Sequence, residues 1–210
     1  METYNKIDTI FERDEKTKKL IVGKFRNPAV EFCKDLTWQF TEKVDGTNIR
    51  IHWDGYRVEF GGRTDNAQIP APLVNRLNEL FGGETNEQLF EQKFGQTDVI
   101  LFGEGYGPKI QNGGSYRDNV DFIMFDVMIN GNYQPRESVE DIAKFFGVDI
   151  VPIVIEGPLQ NGIDYVMNNR QSIIAENGAN LEGVVARPMI ELKDRCGKRL
   201  IVKIKFKDFL

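Results

Sequence analysis

Two short segments of alternating polar and apolar residues flank an Asp-Gly pair, and this arrangement constrains the fold most. The segments are Asn48–Trp53 and Tyr56–Phe60, with Asp54-Gly55 between them. An Asp-Gly pair suits the tight turn that joins two antiparallel strands, so the region predicts a β-hairpin. Further short strands are predicted at Thr37–Thr41, Val99–Phe102, Phe122–Ile129, Leu181–Ala186 and Leu200–Phe206. Because strands and helices do not alternate regularly, we predict an α+β protein with antiparallel sheets rather than a doubly wound fold.

Five helices are predicted from apolar residues at helical spacing and from the residues at their ends. Asn27-Pro28 opens the first, because Asn is a common N-cap and Pro suits the first helical position. Thr85 and Gln88 have the spacing of a capping box at the start of the third. The predicted helices run from Asn27 to Cys33, Leu73 to Phe81, Thr85 to Gly95, Ser138 to Gly147 and Tyr165 to Glu176.

Composition excludes several classes of protein. The 210 residues suit one large domain or, less well, two small ones, and a net charge of −5 argues against a basic DNA-coating protein. His52, Cys33 and Cys196 are too few for a Cys/His zinc site or a disulfide framework. We interpret both cysteines as free thiols in a reducing compartment, although a catalytic Cys–His pair is formally available. No apolar run has the ~18 residues of a membrane span, and the N-terminus has no apolar signal core, so we expect a cytoplasmic protein.

Charged residues at the ends of predicted strands, or inside them, are the candidates for chemistry. Lys43 lies between a predicted strand and a turn at Gly46, Glu104 follows an apolar strand, and Glu182 lies within another. A lysine at such a strand end can point into a cleft. Taken alone, Lys43 is better interpreted as a solvated turn residue, and the other charged strand residues reverse that interpretation.

The last predicted strand alternates strictly between lysines and apolar residues. Period two places Lys203, Lys205 and Lys207 on one face. An edge strand protected by lysines would have the same pattern. The segment from 193 to 210 contains seven Lys/Arg and two Asp, a net charge of +5 in an acidic protein. It predicts a strip that contacts a nucleic-acid backbone, with a solubilising tail as the alternative.

Together these segments resemble the covalent nucleotidyltransferase superfamily of ATP-dependent ligases and mRNA-capping enzymes. Five motifs match in the expected order over residues 42–205. They are Lys43-Val-Asp-Gly46 for the nucleophile, Phe102-Gly-Glu104-Gly, the aromatic–Asp strand Phe122-Ile-Met-Phe-Asp126, Leu181-Glu182-Gly-Val-Val and Val202-Lys203-Ile-Lys205. The resemblance implies a ligase adenylation domain, with antiparallel sheets and flanking helices around a nucleotide cleft.

Within the superfamily the chain is most similar to the double-strand RNA ligase branch, which includes phage RNA-repair ligases and mitochondrial RNA-editing ligases. Gly46-Thr47-Asn48 continues the first motif as in that branch, Arg63 is an isolated Arg on the next strand, and Glu182 and Lys203 are close in sequence. The resemblance implies ATP-dependent joining of 5′-phosphate and 3′-hydroxyl RNA ends through lysyl-AMP and AMP-capped intermediates. A minimal DNA ligase, a capping-type enzyme and a non-catalytic nucleotide- or RNA-binding module are the alternative hypotheses.

The resemblance implies that Lys43 is the nucleophile that attacks the α-phosphate of ATP. A lysine side chain in water has a pKa of ~10.4 and is a poor nucleophile at neutral pH, and nearby cations disfavour its charged form. Lys203 and Lys205 would provide that positive field, bind the α-phosphate and neutralise charge in the transition state.

The same resemblance implies nucleotide-binding roles for further residues. Glu104 would bind the ribose hydroxyls, and Phe125 would stack on adenine, with Phe122 as the alternative. Glu182 would hold Mg²⁺, or Mn²⁺, since these ions take oxygen ligands and keep several waters. The remaining candidates are Glu42 beside the purine, Asn48 and Arg63 at phosphates, and Asp126 and His52 in orienting or structural roles.

We expect residues 1–210 to form one adenylyltransferase domain, without the OB barrel or helical domain that many family members carry after it. Nicked or broken RNA is the expected partner, and DNA or an RNA/DNA hybrid are further candidates. We expect a monomer that does not bind membranes and acts in RNA repair.

Overall fold

Thirteen β-strands and five α-helices make up the structure, a computed structural model that describes residues 1–210. The strands are β1 (Asp8–Thr9), β2 (Phe11–Arg13), β3 (Leu20–Phe25), β4 (Trp38–Glu42), β5 (Thr47–Trp53), β6 (Val58–Gly61), β7 (Val99–Tyr106), β8 (Asp121–Ile129), β9 (Asn132–Tyr133), β10 (Asp149–Ile150), β11 (Ile153–Gly157), β12 (Gly183–Pro188) and β13 (Val202–Lys205). The helices are α1 (Pro28–Phe32), α2 (Ala71–Phe81), α3 (Glu84–Phe94), α4 (Arg136–Phe146) and α5 (Leu159–Asn168). Antiparallel pairing dominates, which confirms the predicted α+β class.

The chain forms two compact units. Unit one contains residues 1–5, 45–151 and 175–177. Its sheet has the order β10-β8-β7-β5-β6, and β9 pairs with β8. The predicted hairpin is present, with β5 and β6 paired from Arg50 opposite Gly61 to Trp53 opposite Val58.

The two faces of the sheet in unit one have opposite chemistry because β5 alternates between apolar and polar residues. Ile49, Ile51 and Trp53 point into a core that also contains apolar side chains of α2, α3 and α4. The intervening residues Asn48 and Arg50 therefore lie on the other face. This second face carries the polar candidates of unit one.

Unit two contains residues 6–44, 152–174 and 178–210. Its sheet has the order β1-β13-β12-β4-β11, and β2 and β3 form a separate antiparallel hairpin. Helix α5 packs on this sheet, and the core includes Trp38, Phe40, Ile163 and Ile204. In this unit β4, β12 and β13 are neighbours, although β4 is far from the other two in sequence.

Several predicted elements have different bounds. The last helix was placed too late, because α5 spans Leu159–Asn168 and does not include residues 170–176. Two of those residues, Ser172 and Ile173, donate hydrogen bonds to Glu42 of β4 instead. The capping box predicted in α3 is wrong, since Gly83 is the N-cap and Thr85 lies inside the helix. Strand β7 continues past two glycines to Tyr106, which extends the predicted strand through Glu104.

Helix α1 confirms its predicted start, since the Asn27 side chain accepts a hydrogen bond from the Ala29 backbone N–H. Both Cys33 and Cys196 are free cysteines, as predicted. None of the five helices has both the length and the apolar character needed to cross a membrane.

Candidate active site

Three strand segments of unit two bring Lys43 beside Glu182. Lys43 directly follows β4, and its backbone N–H donates to the Gly183 carbonyl over 2.9 Å. Gly183 begins β12 and lies opposite Lys205 of β13. The Glu182 carbonyl accepts from the Phe206 backbone N–H over 3.0 Å. Backbone hydrogen bonds between the strands therefore fix the positions from which the side chains of Lys43, Glu182 and Lys205 project.

The Glu182 carboxylate binds two lysines at once. Its Oε2 lies 2.7 Å from Lys43 Nζ, and its Oε1 lies 2.5 Å from Lys205 Nζ. The Lys43, Glu182 and Lys205 side chains are 23, 14 and 18% exposed, so the cluster is reachable from solvent. Lys203 lies on the same face of β13 as Lys205, since the buried residues Val202 and Ile204 alternate with them. Two lysines share the single Glu182 carboxylate, so these three groups carry a net positive charge that suits an anionic ligand such as a phosphate.

Glycine at position 183 permits this arrangement. A Cβ there would come within 2.1 Å of the Ile204 carbonyl oxygen and 2.8 Å of Lys205 Cα, and the residue has φ +154°. Any other residue would push β12 away from β13. The contact between Glu182 and Lys205 thus depends on a residue with no side chain.

Glu42, next to Lys43 in sequence, has entirely different surroundings. It is 1% exposed, and its carboxylate accepts hydrogen bonds from the Ser172 hydroxyl and, over 2.9 Å, from the Ile173 backbone N–H. Burial raises the pKa of Glu42, and the hydrogen bonds from Ser172 and Ile173 oppose that shift. The side chain anchors the segment after α5, so the purine contact implied for Glu42 would have to come from its backbone.

In unit one, Asn48 of β5 lies directly opposite Glu104 of β7. Asn48 Oδ1 is buried and has no hydrogen-bond partner, which is costly unless a ligand supplies a donor. Gly46 makes room beside this pair, because a Cβ there would lie 2.3 Å from the Gly105 carbonyl oxygen and 2.8 Å from Glu104 Cγ. Asn48 and Glu104 therefore form a second candidate cluster.

The two candidate aromatic residues of β8 lie on opposite faces. Phe122 is 2% exposed and packs edge-on against Phe81 in the core. Phe125 lies at an irregularity in the β7–β8 pairing and makes an edge contact with Tyr4, with the ring centroids 5.0 Å apart. Since Phe122 is enclosed in the core, Phe125 is the better candidate for stacking on a base.

Sequence reasoning missed Arg50, the best-anchored cation of unit one. Its side chain is fully buried and donates to the carbonyls of Gly62, Met1 and Glu2, and to Asp65. The loop that Arg50 holds through Gly62 and Asp65 carries the exposed candidate Arg63. The available signal was the polar position of Arg50 within the alternation of β5.

Hydrogen bonds within unit one also hold the turn of the lysine motif and the aromatic–Asp strand. Asn112 donates to Asp45 over 2.8 Å, and the Tyr116 hydroxyl accepts from the Asp45 backbone N–H over 3.3 Å. The Tyr4 hydroxyl donates to Asp126 over 3.0 Å, so Asp126 positions the N-terminal segment.

Three of the seven cations in the basic segment at residues 193–210 form ion pairs with acids from elsewhere in unit two. Lys198 pairs with Asp8, and Arg199 pairs with Glu191 over 2.5 Å. Lys205 pairs with Glu182 as described. These pairs reduce the positive charge of the segment, and its contact with a nucleic-acid backbone stays a prediction.

No group of three or more His, Cys, Asp or Glu side chains is arranged to hold a metal ion. Glu182 is the carboxylate in contact with the lysines, whereas the Glu42 carboxylate is occupied by neutral donors. A divalent ion here would thus rely on one protein carboxylate, water and ligand phosphates, a pattern common for Mg²⁺.

Comparison with known proteins was made on sequence and on structure. The model of the RNA ligase family, described as RNA ligase, matches residues 36–205. No curated protein matches the chain in sequence.

Solved structures of an RNA ligase from Naegleria gruberi have a similar fold. A mutant with ATP and Mn is 17% identical at a TM-score of 0.66, and the match covers 97% of this chain and 61% of that one. A mutant with AMP and Mn is 17% identical at a TM-score of 0.65, covering 87 and 53%. The ligase with PPi is 18% identical at a TM-score of 0.64, covering 99 and 63%. The chain thus spans less than two thirds of the length of these structures.

Proposed function

The chain belongs to the RNA ligase family, and we propose that it is an ATP-dependent RNA ligase that joins 5′-phosphate and 3′-hydroxyl ends. The observation that carries this proposal is the contact of Glu182 with both Lys43 and Lys205. A lysine nucleophile, a second lysine for phosphate and a carboxylate for a metal ion are the groups that lysyl-adenylate chemistry requires.

We propose three steps, each a transfer at phosphorus. First, deprotonated Lys43 Nζ bonds to the α-phosphorus of ATP while the bond to pyrophosphate breaks. Second, an oxygen of the RNA 5′-phosphate attacks the same phosphorus, and the bond to Lys43 breaks. Third, the RNA 3′-hydroxyl attacks the activated 5′-phosphate, and AMP leaves with the electron pair of the broken bond.

Lys205 and Lys203 would bind the α-phosphate and neutralise the charge that builds on its oxygens. This role is compatible with their common face on β13 and with partial exposure. Glu182 would exchange its lysine contacts for Mg²⁺ or Mn²⁺, which supplies charge neutralisation at the phosphates. Lys43 would then lose its ion-pair partner and be available as the nucleophile.

Unit one would supply nucleotide contacts. We propose that Glu104 binds the ribose hydroxyls and that Phe125 stacks on adenine. Asn48 Oδ1 is a buried acceptor without a partner, so a donor from the bound ligand would satisfy it. Arg63 would contact a phosphate, and Glu42 would contact the purine through its backbone.

RNA with nicked or broken ends is the proposed substrate, and residues 1–210 are the proposed adenylyltransferase domain. The neighbouring structures hold ATP, AMP, PPi and Mn, which supports ATP and a divalent ion as cofactors here. We propose that the protein acts as a cytoplasmic monomer in RNA repair.

The first test is transfer of label from nucleotide to protein. The purified protein is incubated with Mg²⁺ and either α-labelled ATP or α-labelled GTP, and label is followed on denaturing gels. We expect label from ATP that is released by added pyrophosphate. Label from GTP alone would replace the ligase proposal with a capping-type reaction, and no label from either would refute both.

The second test identifies the acceptor. The adenylylated protein is given nicked duplexes with a 5′-phosphate at the nick, made of RNA, of DNA or of an RNA/DNA hybrid. We expect sealing or AMP-capped strands with RNA at the nick. Reaction with the all-DNA duplex alone would contradict an RNA ligase and support a minimal DNA ligase.

A further inference from the structure

Unit two contains a large groove that takes no part in the site described above. Its volume is about 830 Å³, and it is lined by the β2–β3 hairpin, the turn after α1, helix α5 and residues 207–210. Lys43, Glu182 and Lys205 are not among its lining residues. The groove is therefore a separate feature of this unit.

The floor of the groove is apolar. Phe11, Leu159 and Ile163 are buried there, while Phe25 and Phe209 are half-buried. Phe25 and Phe209 are therefore the rings of the floor that keep exposed surface, and aromatic rings stack on nucleobases with little regard for sequence.

The rim of the groove is basic. Lys18, Lys19, Lys34 and Lys207 line it, all four are exposed, and none forms an ion pair. Of the two lining acids, Asp208 is only 5% exposed and is neutralised by Arg13 over 2.7 Å. Four unpaired lysines against one exposed carboxylate give the rim a net positive charge.

The two lysines of the hairpin are held in place before any ligand binds. Asp14 accepts hydrogen bonds from the backbone N–H groups of Lys16 and Thr17, which closes the turn. The Lys18 carbonyl in turn accepts from Arg13 over 2.9 Å. A rigid backbone reduces the entropy lost when these lysines bind a ligand.

We propose that this groove binds a single-stranded segment of the RNA substrate, with phosphates on the lysines and bases on the exposed surfaces of Phe25 and Phe209. The proposal rests on the proposed ligase function, because that function provides an RNA substrate. A single strand is favoured over a duplex because only unstacked bases can offer their faces to the floor. A basic rim also favours RNA over an apolar protein segment.

Binding is measured by fluorescence anisotropy of the full chain with a labelled, unstructured RNA of about 12 nucleotides. The RNA has a 5′-hydroxyl and no ATP is present, so no reaction occurs. Two double variants reverse the charge of the rim. One combines Lys18→Glu and Lys19→Glu in the hairpin, and the other combines Lys34→Glu and Lys207→Glu. The matched control is Lys6→Glu with Lys144→Glu, two exposed lysines outside the groove.

We expect each rim variant to weaken RNA binding at least about tenfold and to reduce the slope of log K against log salt by ~1.4, or ~0.7 per lost phosphate contact. The control should lose no more than about threefold, through long-range charge alone. Equal losses of RNA affinity in the control and the rim variants would refute RNA binding in the groove. The same holds if neither rim variant loses affinity. A rim variant that instead dissociates a dimer in sedimentation would assign the groove to a second copy of the chain.

Self-adenylylation separates this proposal from the proposed function. The rim variants should accept label from ATP at the rate of the original protein, since their lysines do not contact Lys43 or Glu182. If the rim variants still become labelled and bind RNA as before, RNA binding in the groove is refuted and the proposed ligase function is not. Failure of the original protein to become labelled would refute the ligase function, and with it the basis for an RNA ligand in the groove.

Discussion

Two carboxylates of unit two, Glu182 and Glu42, show how differently one sheet can use the same chemical group. Glu182 contacts two lysine ammonium groups and remains reachable from water. Glu42 lies on the neighbouring strand, is almost completely buried and accepts hydrogen bonds from neutral groups of residues 172–173. The first arrangement can exchange partners with an incoming phosphate or metal ion. The second fixes a segment of chain.

The partners of a carboxylate, rather than its place in a motif, indicate its role. An ion pair near water costs little to open, because water replaces the lost partner. A buried carboxylate cannot lose its donors so cheaply. We therefore expect substitutions around Glu182 to affect chemistry and substitutions around Glu42 to affect stability.

The largest expected effect is that of Lys43→Ala on self-adenylylation. Without the Nζ there is no nucleophile, so labelling should fall by at least about 10³-fold. Lys16→Ala, at an exposed turn, is the matched control and should be labelled normally. Labelling of the Lys43→Ala protein at the original rate would disprove the assignment of the nucleophile.

The next effect compares Glu182→Gln with Glu42→Gln in the same assay. Removing the Glu182 charge releases both lysines and removes the carboxylate proposed for the metal ion, so we expect a loss of about 100-fold. Glu42→Gln keeps the backbone and should slow labelling by less than about tenfold. The comparison fails if Glu42→Gln is the slower of the two variants.

For the free energy of unfolding, we expect the larger effect around Glu42. Ser172→Ala removes a donor from the buried Glu42 carboxylate and should lower the free energy of unfolding by about 1–3 kcal/mol. Ser138→Ala, on helix α4, should change it by less than about 0.5 kcal/mol. Urea unfolding of both variants gives the values, and equal values would mean that the Glu42 contacts stabilise nothing.

The smallest expected effect is a pH dependence. The folded state holds a proton on Glu42 more tightly than the unfolded state does, because burial raises its pKa above the ordinary value of 4.5. Stability therefore falls as pH rises from 4.5 through the folded pKa, and Glu42→Gln removes this contribution. The difference between the two proteins in urea unfolding should decline with rising pH. A difference that rises with pH would contradict the sign of the shift.

The features of the site and fold that depend on a local sequence pattern were predicted from the sequence. Lys43 was identified at a strand end and Glu182 and Lys205 inside predicted strands, and the structure brings the three into contact within unit two. The β5–β6 hairpin was predicted because its turn residues and alternation lie within a few positions of one another.

What sequence reasoning missed depends on contacts between distant residues. The helix predicted to reach Glu176 ends at Asn168, and Ser172 donates to Glu42, 130 positions away. Arg50 was not identified because its partners include backbone carbonyls of residues 1 and 2, and carbonyls carry no sequence signal. The β2–β3 hairpin was missed for lack of a strong turn signal.

Gly183 has a consequence for how this sequence can vary. Position 183 has no functional atom in its side chain, yet even the methyl group of alanine would collide with the β13 backbone. In a library with all twenty amino acids at this position, selection for adenylylation should return glycine alone. A position that is needed only because it has no side chain would then be as invariant as the nucleophile.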